Sequence, residues 1–189
     1  ESLQTAQDLN TELANYLNND VILVKNLAAY IAINPQLDNQ EFLAFCTEIF
    51  EQGEGLINLA AAPDLVIKMI CPVAGNEATL GVDYRQVPSQ TALVTEALQE
   101  RKTVFSNPVQ LIQGGRGVFI RQGVYESNTE QPWGVVSAAV DIHTIFEQSG
   151  IYSAAGHYNL VIESTKDQQS YIIYGNPYYI NHQDALAVP

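Results

Sequence analysis

GVFIRQGVYESNTEQPWGVVSAAVDI, residues 117–142, predicts the core of the fold. Two runs rich in β-branched and aromatic residues, 117–127 and 132–142, flank the turn-forming segment 127–132. Runs of this composition are typical of strands, and a short polar connection makes them antiparallel neighbours. The preceding segment 103–113, TVFSNPVQLIQ, predicts a third strand. The three together predict an antiparallel meander.

Upstream of the meander the sequence predicts mainly helices. Residues 1–33 predict one long helix, because apolar residues recur at spacings of three, four and seven. Such a helix is about 50 Å long, and its apolar stripe faces either the body of the protein or a second copy. A second helix is predicted from Asp38, a good N-cap, to Leu59, with the GEG at 53–55 weakening or breaking it. A third is predicted over 89–102.

Shorter elements complete the pattern. Residues 62–73, APDLVIKMICPV, predict a strand, and residues 78–84, ATLGVDY, predict a second short one. Asp141 is predicted to cap a short helix, and residues 158–175 are predicted to form a hairpin. The order of elements predicts an α+β fold: a long N-terminal helix, an antiparallel sheet with flanking helices, and a smaller β part near the C-terminus.

The charge of the chain limits its partners. Its 189 residues contain 21 acids and 8 bases, for a net charge of −13. A nucleic-acid binder needs a cationic surface, so we expect no nucleic-acid partner. No apolar run approaches the roughly 18 residues of a membrane span. Because the chain begins at Glu1, we expect a piece of a larger or processed protein, with membrane segments flanking it.

The segment 72–84, PVAGNEATLGVDY, has three chemical interpretations. As a phosphate loop it lacks the Lys-Ser or Lys-Thr that such loops carry at a helix start. As a metal loop it offers Asn76, Glu77 and Asp83, but not the twelve-residue calcium pattern, and no His or Cys stands at ligand spacing. A nucleophile elbow, G-x-S-x-G, is absent from the whole sequence. We therefore expect no metal, no cofactor and no catalytic residue, and interpret 72–84 as a turn at a pocket edge.

The two cysteines leave two alternatives open. Cys46 falls in a helical pattern and Cys71 ends a predicted strand. They are either buried small hydrophobic residues or, in an oxidising compartment, a disulfide.

Polar side chains among apolar strand residues predict a ligand pocket. The candidates are Lys68, Asp83, Gln113, Arg121 and Ser137, with Tyr84, Tyr125 and Trp133 as aromatic walls. Each has an ordinary structural alternative. Lys68 can lie on a solvent face, Arg121 can pair with Asp83 or Asp141, and Trp133 can be core.

Three segments, 56–84, 92–127 and 132–146, resemble in order and spacing the CHASE family of extracytoplasmic sensor domains. The matching positions are Pro72, Gly75, Asn76, Glu77, Gly81, Asp83, Gln113, Gly114, Gly115, Gly117, Val124, Tyr125, Trp133, Gly134, Val136 and Asp141. The resemblance covers roughly residues 56–150 and the long first helix.

The resemblance implies a PAS-like small-molecule sensor that lies between two transmembrane helices, in the periplasmic or extracellular part of an inner-membrane protein. It implies a stalk and homodimer seam over 1–60, a sensing domain over 61–150 and a smaller membrane-proximal β part over 151–189. Members are coupled to cytoplasmic histidine kinases or diguanylate cyclases, so this chain is expected to have no catalysis of its own. The alternatives are a small hydrolase or metal-dependent enzyme, and a structural dimerisation domain without a ligand.

Overall fold

The computed structural model describes residues 1–111, 114–166 and 168–189. The helices are α1 (Ser2–Ile33), α2 (Asn39–Phe50), α3 (Pro88–Gln99), α4 (Ile142–Gln148) and α5 (Ile151–Ala155). The strands are β1 (Leu56–Pro63), β2 (Met69–Cys71), β3 (Thr103–Phe105), β4 (Val109–Gln110), β5 (Arg116–Tyr125), β6 (Pro132–Asp141), β7 (Ile162–Lys166) and β8 (Gln169–Tyr174). These elements confirm the α+β class, with its long first helix and flanked sheet.

One antiparallel sheet organises the chain. Its strand order is β2–β1–β6–β5–β3, and β4 also pairs with β5. The long strands β5 and β6 confirm the predicted meander, and their register places Arg121 opposite Ser137. Ser137 in turn lies opposite Ala60 of β1, in the middle of the sheet. Strands β7 and β8 form a separate two-stranded sheet, as the hairpin pattern predicts.

The prediction that the second helix runs to Leu59 is wrong. Helix α2 begins after its Asp38 cap, as predicted, but ends at Phe50. Gly55 then adopts a φ of +72°, in the left-handed region that favours glycine, and the chain enters β1. Ala60 and Ala61 are buried on opposite faces of this strand, so the segment LINLAAA does not alternate between polar and apolar residues. Without that alternation the sequence does not distinguish a strand from a helix here.

The two strand predictions that follow need correction as well. The strand predicted over 62–73 is interrupted, because the chain reverses at Asp64 and Leu65, and the three-residue β2 is the strand that follows. Residues 78–84 form short 3₁₀ turns at Glu77–Thr79 and Tyr84–Gln86, and an isolated bridge pairs Val66 with Asp83. The strand predicted over 103–113 is divided into β3 and β4.

The two faces of the sheet carry different cores. Helices α1 and α2 cover one face, where the largest cluster of buried apolar residues lies. Helix α3 and the loop before it cover the other face with a smaller cluster. That smaller cluster comprises Ala60, Ala62, Ile67, Ile70, Tyr84, Val94 and Val135. The polar strand residues of interest lie beside it.

Helix α1 packs on the body of the protein through its C-terminal half. Leu23, Val24, Leu27, Ala28 and Ile31 are buried against the sheet and α2. Most residues of the N-terminal half are exposed or half-buried. The two halves meet at a buried carboxylate, Asp20.

Candidate ligand-binding site

A buried arginine on β5 is the centre of the candidate site. Arg121 is 1% exposed. Its Nε donates to Ser137 Oγ at 3.2 Å, and its Nη2 donates to the Gln90 carboxamide oxygen. Its Cζ lies 4.9 Å from the ring centroid of Tyr84 and 4.7 Å from that of Phe119. We call these five residues the arginine cluster.

Regular backbone geometry brings the cluster together. Pairing of β5 with β6 sets Arg121 beside Ser137, and strand alternation puts Phe119 on the same face as Arg121. Pro88 begins α3, where its fixed φ suits the first helical turn, and this places Gln90 over the sheet.

A fixed loop holds Tyr84 in the cluster. Its hydroxyl lies 3.1 Å from Ser137 Oγ, and its carbonyl accepts a 2.8 Å hydrogen bond from Thr91 Oγ1. One residue earlier, Asp83 accepts from the backbone N–H of Arg85 at 2.9 Å and from its Nε at 2.8 Å. These hydrogen bonds from Arg85 lower the pKa of Asp83, which therefore stays charged and locks the turn.

The charge of Arg121 is compensated only by neutral groups. No carboxylate in the described part of the chain forms an ion pair with it, so the structural alternative, in which Arg121 pairs with Asp83 or Asp141, is wrong. Burial lowers the pKa of the Arg121 guanidinium, and its contact with Tyr84 opposes this effect. Arginine nevertheless remains protonated in proteins. A buried cation without a counter-ion is costly and is a mark of a functional site.

The remaining predicted pocket residues lie apart from the arginine cluster. Lys68 is exposed in the loop before β2, and Asp83 faces Arg85. Trp133 packs in the core beneath α1 and α2, on the opposite face, where its Nε1 donates to Pro35 O at 2.9 Å. Gln113 lies outside the described residues. The Tyr125 hydroxyl donates to Leu98 O at 2.8 Å, at the end of α3. Ligand contact by these five residues stays a prediction.

Two members of the cluster were absent from the predicted set. Phe119 carried a usable signal, because it stands two residues before Arg121 and strand alternation puts both on one face. Gln90 carried none, since a glutamine in the first turn of an amphipathic helix is ordinary until the helix is docked.

Two surface grooves lie elsewhere on the molecule. One, of about 570 Å³, runs between α1 and the sheet edge and is lined by the cations Lys25, Arg101 and Lys102. The other, of about 480 Å³, is mainly apolar and lies between β3, α4 and the β7–β8 hairpin. Neither is lined by a member of the arginine cluster. We place the candidate site at Arg121 because an uncompensated buried charge is a stronger mark of a site than a groove volume.

Metal and membrane features were sought in the same described residues. No group of three or more His, Cys, Asp or Glu side chains is arranged there to hold a metal ion. None of the helices formed by these residues combines the length and the apolar character needed to cross a bilayer.

The antiparallel sheet with helices on both faces is a PAS-like fold. Three solved structures share this fold. The extracellular ligand binding receptor of Desulfohalobium retbaense has a TM-score of 0.60 and 14% identity, over 89% of this chain and 36% of that one. The amino acid chemoreceptor PctC of Pseudomonas aeruginosa PAO1, in complex with GABA, has a TM-score of 0.59 and 16% identity, over 78% and 65%. The chemoreceptor CtaA of Pseudomonas fluorescens, in complex with L-valine, has a TM-score of 0.60 and 15% identity, over 86% and 68%.

The family follows from the sequence. The family model of the CHASE domain matches residues 25–174, so the chain belongs to the CHASE domain family. This confirms the resemblance seen in its motifs. CHASE domains and chemoreceptor ligand-binding domains are extracellular modules that bind ligands and are not themselves enzymes. A comparison with curated proteins gave no match.

Proposed function

We propose that this chain is the extracellular sensing part of a membrane-bound signalling receptor, and that it binds a small molecule with an anionic group at Arg121. The observation that carries the proposal is the buried guanidinium without a carboxylate partner. The ligand occupies the space between the sheet and α3. Tyr84 and Ser137 contact it beside Arg121.

The hydrogen bonds of Arg121 support an anionic ligand. A guanidinium carries five N–H donors, and in Arg121 the Nε donates to Ser137 and the Nη2 donates to Gln90. The Gln90 oxygen stands where an oxygen of the ligand would accept. A carboxylate accepts two parallel hydrogen bonds from a guanidinium and supplies the negative charge that the site lacks. A ligand carboxylate that displaces the Gln90 side chain from Arg121 therefore stabilises the site.

The ends of the chain carry the response in this proposal. Ligand binding shifts a two-state dimer, and α1 and the C-terminal part, 151–189, pass the shift to flanking membrane segments and to a cytoplasmic diguanylate cyclase or histidine kinase. The region 1–60 serves as stalk and dimer seam, and 61–150 as the sensing domain. Ile22 and Ile33 of α1, which are 55% and 66% exposed, support a seam because eleven residues separate them and they lie on one helix face.

A ligand screen tests the proposal. The purified chain is heated with amino acids, organic acids, purines and peptides, and the melting temperature is recorded. A ligand at 100 times its Kd adds about 2.7 kcal/mol, a rise of roughly 5 to 10 °C for a domain of this size. The neighbours bound to GABA and L-valine make amino acids the first set to test.

Matched variants then locate the site. Arg121→Gln is expected to weaken binding of a hit at least about tenfold, since a hydrogen bond to a charged group contributes about 1.5–3 kcal/mol. Arg116→Gln, at an exposed arginine on the same strand as Arg121, is the control and leaves affinity unchanged. If Arg121→Gln does not fold, Ser137→Ala is compared with Ser149→Ala, since both serines are 4% exposed and only Ser137 touches Arg121.

Three results would contradict the proposal. Binding to Arg121→Gln with wild-type affinity would remove Arg121 from the site. Hits without an anionic group would remove the charge argument. No hit in any class, together with a dimer that forms through α1, would favour a structural dimerisation domain.

A further inference from the structure

The two cysteines of the chain lie in the same buried cluster of the core. Cys46 lies on α2 and is 0% exposed, while Cys71 ends β2 and is 3% exposed. Both are free thiols. Helix α2 packs on β2, and Oγ1 of Thr47, the residue after Cys46, lies 3.8 Å from Cys71 Sγ. Residues 25 apart in sequence are thus brought to neighbouring positions in the core by the docking of a helix on a strand.

The strand that carries Cys71 has few anchors. β2 has three residues, lies at the edge of the sheet and pairs with β1 alone. The loop that follows it, from Pro72 to Asp83, leads directly to Tyr84 of the arginine cluster. A covalent link between α2 and β2 would fix the start of this loop to the α2 side of the core.

We propose that Cys46 and Cys71 are a disulfide site, oxidised when the domain folds in its extracellular compartment. Disulfides form and persist in oxidising compartments, and CHASE domains are extracellular. The co-reactant is a protein or small-molecule disulfide. One cysteine thiolate attacks it and releases a thiol, and the second cysteine thiolate then displaces the remaining thiol from the mixed disulfide. The Cys46–Cys71 bond forms, two protons leave the cysteines, and the donor disulfide is reduced to two thiols.

Burial determines when this reaction takes place. In the folded protein burial raises the pKa of the Cys46 thiol, and the neighbouring Cys71 raises it further. A thiol in this state is a poor nucleophile. The exchange therefore belongs to folding, while both thiols are accessible, and a protein that folds reduced stays reduced.

The experiment compares the same chain folded under two conditions. One sample is exported to an oxidising compartment, or refolded with oxidised and reduced glutathione, and the other is refolded with a reductant. Each is unfolded in guanidinium with iodoacetamide present, and its intact mass and peptide map are measured. We expect the oxidised sample to take up no alkyl groups, to lack two hydrogen atoms, and to yield a peptide that joins Cys46 to Cys71.

A thermal measurement adds a second readout. A bond that closes a loop of this length raises the melting temperature by roughly 5 to 15 °C in a domain of this size. Adding reductant should remove that rise in the wild type and leave the melting temperature of a Cys46→Ala, Cys71→Ala variant unchanged.

The proposal does not depend on the ligand, so a failed ligand screen leaves it intact. Full alkylation of both cysteines after oxidative refolding would overturn it. So would a disulfide found only between two chains.

Discussion

Asp20 makes the stability of this protein depend on pH. Asp20 is 0% exposed, and its Oδ1 accepts a hydrogen bond from the Glu54 backbone N–H at 3.3 Å. Its Oδ2 has no hydrogen-bond partner among the described residues. Burial raises the pKa of the Asp20 carboxyl from 3.8 to about 7, against the lowering effect of the Glu54 N–H and with a further increase from the Glu54 charge. Folding therefore favours the protonated form.

The sign and size of the effect follow from this shift. A carboxyl whose pKa is higher in the folded than in the unfolded state gives its full benefit below about pH 4, and that benefit is lost as the pH rises through 7. At about 1.4 kcal/mol for each pKa unit, the shift has an upper bound of about 4 kcal/mol. Solvent near the Gly53–Glu54 turn screens the charge, so we expect roughly 2 kcal/mol.

The perturbation is Asp20→Asn, which keeps the shape and removes the charge. Unfolding by urea is measured from pH 5 to 8.5 for the wild type, for Asp20→Asn and for the control Asp8→Asn, an exposed position on the same helix. We expect Asp20→Asn to be more stable than the wild type by roughly 2 kcal/mol at pH 8.5, with the difference shrinking towards pH 5. Parallel pH curves for the wild type and Asp20→Asn would refute the reasoning, as would an equal loss of stability at both pH values.

Three further substitutions test the local structure. Asp38→Ala removes the hydrogen bond that the Asp38 carboxylate accepts from the Glu41 backbone N–H at the start of α2, and should lower the free energy of unfolding by about 1 kcal/mol in urea, whereas an unchanged midpoint would contradict that role. Gly134→Ala places a Cβ against the backbone of Ala62 at a φ of +150°, so we expect a loss of more than about 3 kcal/mol, and a melting temperature equal to that of the wild type would refute it. Tyr84→Phe removes the hydroxyl near Ser137 and should weaken an anionic ligand about fivefold, by calorimetry, with little change in fold.

Local signals in the sequence were sufficient for much of the fold. The long first helix, the β5–β6 meander and the caps Asp38 and Asp141 were all predicted, because each depends on residues close together in the chain. β1 was missed because its identity depends on β2 and β6, which pair with it from distant positions. Its small, apolar residues carry no alternation of their own.

The candidate site was predicted in part for the same reason. Polar residues among apolar strand residues pointed to Arg121 and Ser137, and the structure brings both to Tyr84. Trp133 looked equivalent in sequence but lies beneath the opposite helices, since the pairing register decides which face a strand residue takes. Gln90 could be found only after α3 was docked on the sheet.

The unequal cores on the two sides of the sheet have a consequence for divergence. The α1 and α2 side carries most of the buried apolar contacts, whereas the α3 side carries the arginine cluster. Under the proposed function, substitutions beneath α3 alter what is recognised while the larger core keeps the domain folded. Two structures with this fold, which share 15–16% identity with the chain, are receptor domains in complex with different small molecules, GABA and L-valine.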